Sequence, residues 1–416
     1  MLKIRRGLLT SIVAATLIST IGRVFGQAIS DKKLPKSPPV WTGFGLNGSA
    51  NQGRYELTRA FVRKHRNLEL RDGAAFVQEG QYIKNLLQKQ KSQLVQFKDK
   101  VDFGEDLLVG FAHDYELTVG ARLEKDGINA NTLYIFMSGV GMIMSFSSIT
   151  GWRIVSSFPF MLRFETSGGD LKNIKPKAVE LMGEAYRGYG NAFVHFLEKF
   201  NKWDQGFSSN FFAKLNRSTV HTDALSKLQS FKIDNVFNAE LLGFSCSTLV
   251  CDNLNIPLLP YQENDALAKR YAVKFSDDLA AQNEISIPDA DLKFEVVLRD
   301  LDKKIIPSTQ RGVTIIRRTL VVRFLVFDEY SDLKDKKLLN VVAGSVMEDR
   351  IPLNSTEDDS PERDLIFYDR LLSSTLSNLL QGLINRDSKL LDLVEVKMDF
   401  VAPAIPRLIE LCNKTR

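Results

Sequence analysis

His113, Asp114 and Glu116 set an imidazole and two carboxylates close together in the chain, the combination that general acid–base chemistry uses. Whether they converge depends on the element that carries them. Leu107, Val109, Phe111, His113, Tyr115, Leu117 and Val119 alternate with Gly110, Ala112, Asp114, Glu116 and Thr118, and this period of two predicts a strand over 107–119. Successive side chains of a straight strand point to opposite faces. His113 then shares the apolar face, and the two acids are turned away from it. The expectation is a half-buried structural histidine.

Gly43-Phe44-Gly45-Leu46-Asn47-Gly48 matches G-x-G-x-x-G. A dinucleotide site needs that turn to follow a buried strand and open a helix, so that backbone N–H groups meet the pyrophosphate. The preceding Ser37-Pro38-Pro39-Val40-Trp41 predicts no core strand, and a turn is expected instead. Cys246 and Cys251 could pair in an oxidising compartment, but their odd spacing puts them on opposite faces of a continuous strand. They and Cys412 read as small buried residues. No serine lies in G-x-S-x-G, and there is no H-E-x-x-H or paired metal-ligand spacing. No catalytic, cofactor-binding or metal-binding residue is assigned.

The elements that would position any site come in two blocks of similar order. In the first, Tyr82, Ile83, Leu86, Leu87, Leu94 and Phe97 predict a helix over 79–98; the strand 107–119 follows; then come strands at 132–146 and 152–164. Val179, Met182, Tyr186, Tyr189, Phe193, Phe196 and Phe200 mark a closing helix. In the second, a helix is predicted at 265–281, strands at 293–299, 313–327 and 337–348, and a helix at 364–385. Residues 234–260 are expected to add a strand. The fold class is therefore α+β, with two tandem lobes, each a small mainly antiparallel sheet flanked by helices. The lobes span 46–205 and 234–400, joined by a connector at 206–233 and followed by a tail at 401–416.

Two segments invite contact. Val394, Val396, Met398 and Phe400 alternate with polar residues, which predicts a half-exposed edge strand that a partner could pair with. Gly127–Trp152 holds 26 residues without a charge. A central strand buried on both faces explains it best; a greasy patch using Phe136, Met137, Met142 and Met144, or a membrane-inserting segment within 133–160, are the alternatives. The basic residues Arg63, Lys64, His65 and Arg66, and Lys84, Lys89, Lys91, Lys98 and Lys100, read as solvated helix faces, with lipid head groups as the alternative contact.

The N-terminus names a compartment. Lys3, Arg5 and Arg6 precede an uncharged run from Gly7 to Gly22, and Gly26-Gln27-Ala28 offers small residues for cleavage, so residues 1–28 read as a secretory signal and 29–45 as a linker. An uncleaved inner-membrane anchor over 7–22 is the rival. The chain carries +5; without the four basic residues of the leader it falls to +1. So neutral a product lacks the basic face of a nucleic-acid binder. The expected place is the periplasm of a bacterium.

The segments Ala266–Ala281, Lys293–Arg299, Val313–Phe327, Leu338–Glu348 and Asp364–Asn385 carry a helix and sheet order that resembles small α/β domains of bacterial envelope proteins, such as the N-terminal domain of TolB or the CsgG-type secretion lipoproteins. The chain departs from the CsgG type in lacking a lipid-modified N-terminal cysteine. The resemblance implies a binding or assembly role at the envelope, with another envelope protein, a glycan or a lipid as partner and no cofactor. A hydrolase without a linear motif and a membrane-embedded assembly component are the competing expectations.

Overall fold

The computed structural model describes residues 38–47, 55–65, 88, 95–98, 106–125, 128–147, 151–168, 173–202, 211–262, 270–275, 283–307, 312–331, 336–352, 359–394, 397–398 and 404–414. The leader expected at 1–28, most of the helix expected at 79–98, and Val396 and Phe400 lie outside them. The chain is α+β, with two sheets flanked by helices.

The first sheet is built on a long meander, β2 (Leu108–Lys125), β3 (Ile128–Ser147) and β4 (Gly151–Ser167). It closes into a barrel of order β1-β2-β3-β4-β7-β6 by taking in β1 (Val40–Asn47), β6 (Arg270–Phe275) and β7 (Asn283–Ser286). Two sequence expectations are corrected here. The end of the linker, from Val40, is a buried strand lying parallel to β2. The helix expected at 265–281 contains β6 instead, which closes the barrel against β1. Short strands at a closure carry too few residues for a period of two to stand out.

The second sheet has order β11-β10-β9-β8-β5, from β5 (Ala213–Val220), β8 (Leu292–Pro307), β9 (Val313–Asp328), β10 (Lys337–Pro352) and β11 (Lys397–Met398). Ile316, Arg318, Leu320, Val322 and Phe324 of β9 point inward, while Arg317 is exposed. That alternation is the mark of an antiparallel sheet with one wet face. The repeat expected from the sequence survives in reduced form. Each meander is followed by a long helix, α2 (Ile174–Lys202) after β4 and α5 (Pro361–Asn385) after β10.

Helices α1 (Glu56–His65) and α2 pack together on the outer side of the first meander. Leu162 of β4 lies against Gly188 of α2, and the next residue, Arg163, reaches Asp369 of α5 on the opposite face. The meander is therefore covered on both sides, which is why β3 shows no alternation. Between the two sheets runs a helical layer of α4 (Ala239–Leu254) and α5. Residues 234–260, expected to add a strand, form α4. Leu241 to Cys251 are buried without a break, and a short apolar run looks alike in a buried strand and a buried helix. Asn238 caps it by accepting from the N–H groups of Glu240 and Leu241, both at 3.0 Å. The Tyr261 ring lies so close to Gly243 that a Cβ would stand 2.1 Å from it.

The expected connector at 206–233 holds β5 and a short helix, α3 (Thr222–Ser230). A five-residue turn of helix, α6 (Ser388–Asp392), follows α5, and α7 (Ala404–Lys414) packs beside β10. One apolar cluster runs through the first meander, the helical layer and the second sheet; a smaller one, with Val40, Leu108, Val140, Met142, Met144 and Ile154, belongs to the barrel.

Candidate functional site

The acid–base residues come together after all. Asp114 is the extra residue of a β-bulge: His113 pairs with Gly139, Tyr115 with Ser138 and Glu116 with Met137. One inserted residue reverses the parity of everything after it. His113 and Glu116 thus share a face, with Nε2 3.4 Å from Oε2. This corrects the straight-strand expectation.

The pair is walled in, with side-chain exposures of 0% for His113 and 2% for Glu116. The carboxylate accepts from the N–H groups of Leu57 and Thr58 and, at 2.7 Å, from the Thr58 hydroxyl. These donors form the first turn of α1, where unsatisfied N–H groups and the helix dipole attract an anion. Tyr55 donates to the carbonyl oxygens of His113 and Asp114, each at 3.2 Å, and so holds the bulge. The cluster is a clamp for α1. Glu116→Ala is expected to cost about 2 kcal/mol, the upper range for a lost helix cap, and to speed proteolysis of α1; urea titration and timed digestion check both.

The same clamp answers the glycine motif. β1, α1 and the parallel β2 make a βαβ unit, which the sequence did not predict. Gly43 and Gly45 lie within the strand, paired with Gly110 and Ala112, where the sequence predicted a turn. The α1 N-terminus, where a pyrophosphate would sit, is filled by Glu116. The residues do not fit a dinucleotide.

A second set of charged groups joins the layers. Asp364, in the first turn of α5, accepts from Nε of Arg318 of β9 at 2.7 Å and from Lys303 of β8 at 2.8 Å. Asp349 of β10 accepts from Arg363 at 2.7 Å and Arg318 at 3.3 Å. Arg363 also donates to the Arg122 carbonyl of β2, which ties the second sheet to the first. Further along α5, Asp369 accepts from Arg163 at 2.7 Å and from the Tyr134 hydroxyl at 3.2 Å. Burial and then Asp369 push the Tyr134 phenol up; burial pulls the Arg163 guanidinium down, and Asp369 more than offsets it. These ion pairs and buried apolar side chains lie between the two sheets.

Phe136, Met137, Met142 and Met144, considered as a contact patch, are 0–1% exposed. They belong to the core. Cys246 and Cys251 sit five positions apart on α4, buried and not joined in a disulfide, and burial pushes the Cys246 thiol up. Among the described residues no group of three or more His, Cys, Asp or Glu is placed to hold a metal, and no helix is long and apolar enough to cross a membrane.

The edge predicted near the C-terminus exists. β11 is the outer strand of the second sheet, with Met398 opposite Val341 and Lys397 opposite Val342. Val394, expected on the half-exposed face, is instead fully buried, and its carbonyl accepts from the Gly344 N–H at 2.8 Å. α6 turns the chain inward there, which removes its side chain from the surface. β10 runs on past this point to Pro352. From Ser345 to Pro352 no described strand covers its outer side. Val346 is 51% exposed on it. The strand thus extends beyond the 348 expected from the sequence, and the alternation of Val346, Glu348 and Arg350 with Met347, Asp349 and Ile351 carries that extension. No protein-family model matches the chain, and a search of the curated proteins finds no match either.

Proposed function

We propose that this protein is an exported, non-catalytic binding protein of a bacterial envelope, and that it takes an extended segment of a partner polypeptide as an added strand beside β10. The observation that carries the reading is the length of β10, from Ser345 to Pro352, that no described strand covers. Strand addition uses main-chain hydrogen bonds for affinity and asks little of the side chains, which accords with a chain without linear motifs. Placement in the envelope rests on the basic and apolar leader at residues 1–28. The buried ionic groups are spent on holding layers together, which favours binding over a hydrolase. The apolar run of β3 is buried, partly in the main core beside α2 and partly in the barrel cluster with Val140, Met142 and Met144, which favours it over a membrane-embedded component.

Val346→Pro isolates the edge. Residue 346 lies two positions from Gly344, whose N–H points away from β9, so the substitution deletes an outward N–H and spares the ladder to β9. Cross-linking in intact cells is expected to yield adducts of the normal protein in the exported fraction, and Val346→Pro, with an unchanged unfolding midpoint, is expected to lose them. Adducts that persist in the variant, or a protein that keeps its leader and stays in the cytosol, would sink the proposal.

A further inference from the structure

We infer that the occupant of the β10 edge is a second copy of this chain, with the two β10 strands antiparallel about a twofold axis beside Asp349. This rests on the strand-addition reading above and names its partner.

Backbone direction limits the possible registers. The Gly344 N–H is bonded to Val394 and not to β9, and the N–H and C=O of one residue point to the same side of a strand. Outward groups therefore belong to residues 346, 348, 350 and 352. Pro352, which has no N–H, falls on this outward side, where β9 loses no bond by its presence. A twofold partner must pair outward residues with outward residues.

Charge then selects among the registers. Pairing 348 with 348 sets Glu348 against itself, and pairing 350 with 350 does the same to Arg350; like charges directly opposite destabilise a strand pair. The register between them sets Glu348 against Arg350 of the second copy, and the twofold repeats that pair. In it Val346 stands opposite position 352, and Met347 opposite Ile351 on the inner face. Asp349 stands opposite its own copy, but each carboxylate is already held by Arg363 and Arg318 inside its own sheet. Glu348 has Arg317 at 2.6 Å on its other side, so it would lie between two guanidinium groups. The contact is isologous and closed, as most homodimers are. It uses the long edge that a monomer would otherwise leave open to indiscriminate pairing.

Sedimentation of the purified, cell-processed chain tests this over a concentration range reaching about 1 mM, the weak limit of specific association. The expected result is a dimer whose dissociation constant rises at least tenfold in E348R and in R350E, returns toward the original in E348R/R350E, and rises again in Val346→Pro. Unfolding midpoints taken alongside identify any variant weakened in its fold, and R350E, at an exposed position, keeps the test intact if E348R is weakened. A chain that stays monomeric throughout the range overturns the inference, as does self-association indifferent to R350E. If that chain still forms adducts with a different polypeptide that Val346→Pro abolishes, the binding reading stands and only the identity of the partner is lost. If no edge-dependent adduct of any kind forms, both fail.

Discussion

Asp364→Ala is expected to lower the unfolding free energy by about 3–5 kcal/mol, the usual result of removing one member of a buried ion pair. Asp364 is 2% exposed and is the shared acceptor of Arg318 and Lys303, whose side chains are 0% and 14% exposed. Without it two cations remain inside, and among the described residues Asp349 and Asp359 are left to answer them. Asp364 also lies in the first turn of α5, where a negative charge is favoured by the helix dipole, so the loss is compounded. Urea titration followed by circular dichroism measures the change. A loss below about 1 kcal/mol, the scale of an exposed pair, would mean that water reaches this cluster. Asp364→Asn is expected to fall between, because it keeps an acceptor and drops the charge.

Asp369→Ala is expected to cost about 3 kcal/mol, toward the lower end of that range because Arg163 keeps 21% of its side chain exposed and can reach solvent. The effect is on the joint between the layers. Asp369 lies on α5, and its two donors come from β3 and β4 of the barrel. Removing it loosens the barrel from the helical layer while leaving the second sheet attached. Hydrogen exchange should therefore rise in β3 and β4 more than in β9. Replacing both partners, Arg163→Met with Asp369→Leu, is expected to recover most of the loss, since a buried ion pair is often matched by apolar residues of similar volume. A double variant as unstable as the single one would show that Tyr134, left with an unmatched hydroxyl, dominates the joint.

How the edge and the clamp arise illustrates how far local pattern reaches. Strands β2, β3, β4, β8, β9 and β10 and helices α2 and α5 were legible because each is long enough for its period to show. In β9, Arg317 and Arg318 take opposite faces by parity alone, and nothing in the residues themselves says that Arg318 is the buried one. Its partners, Asp364 and Asp349, come from elements that follow in the chain by 46 and 31 residues. Likewise the bulge at Asp114 inserts a single residue, leaves no mark on the apolar alternation around it, and yet decides that His113 meets Glu116.

By itself the sequence determined the compartment signal to be tested, the α+β class, the two meanders each closed by a helix, and an edge strand near residue 398. These depend on local periodicity, which every short stretch of chain carries within itself. Only the tertiary structure decided that β1, β6 and β7 complete a barrel, that 239–254 is a helix between two sheets, that the α1 N-terminus is filled by Glu116, and that β10 outruns the strand meant to cover it. Those outcomes depend on which distant segments compete for the same backbone hydrogen bonds and the same buried volume, and that competition is settled only when the whole chain is packed.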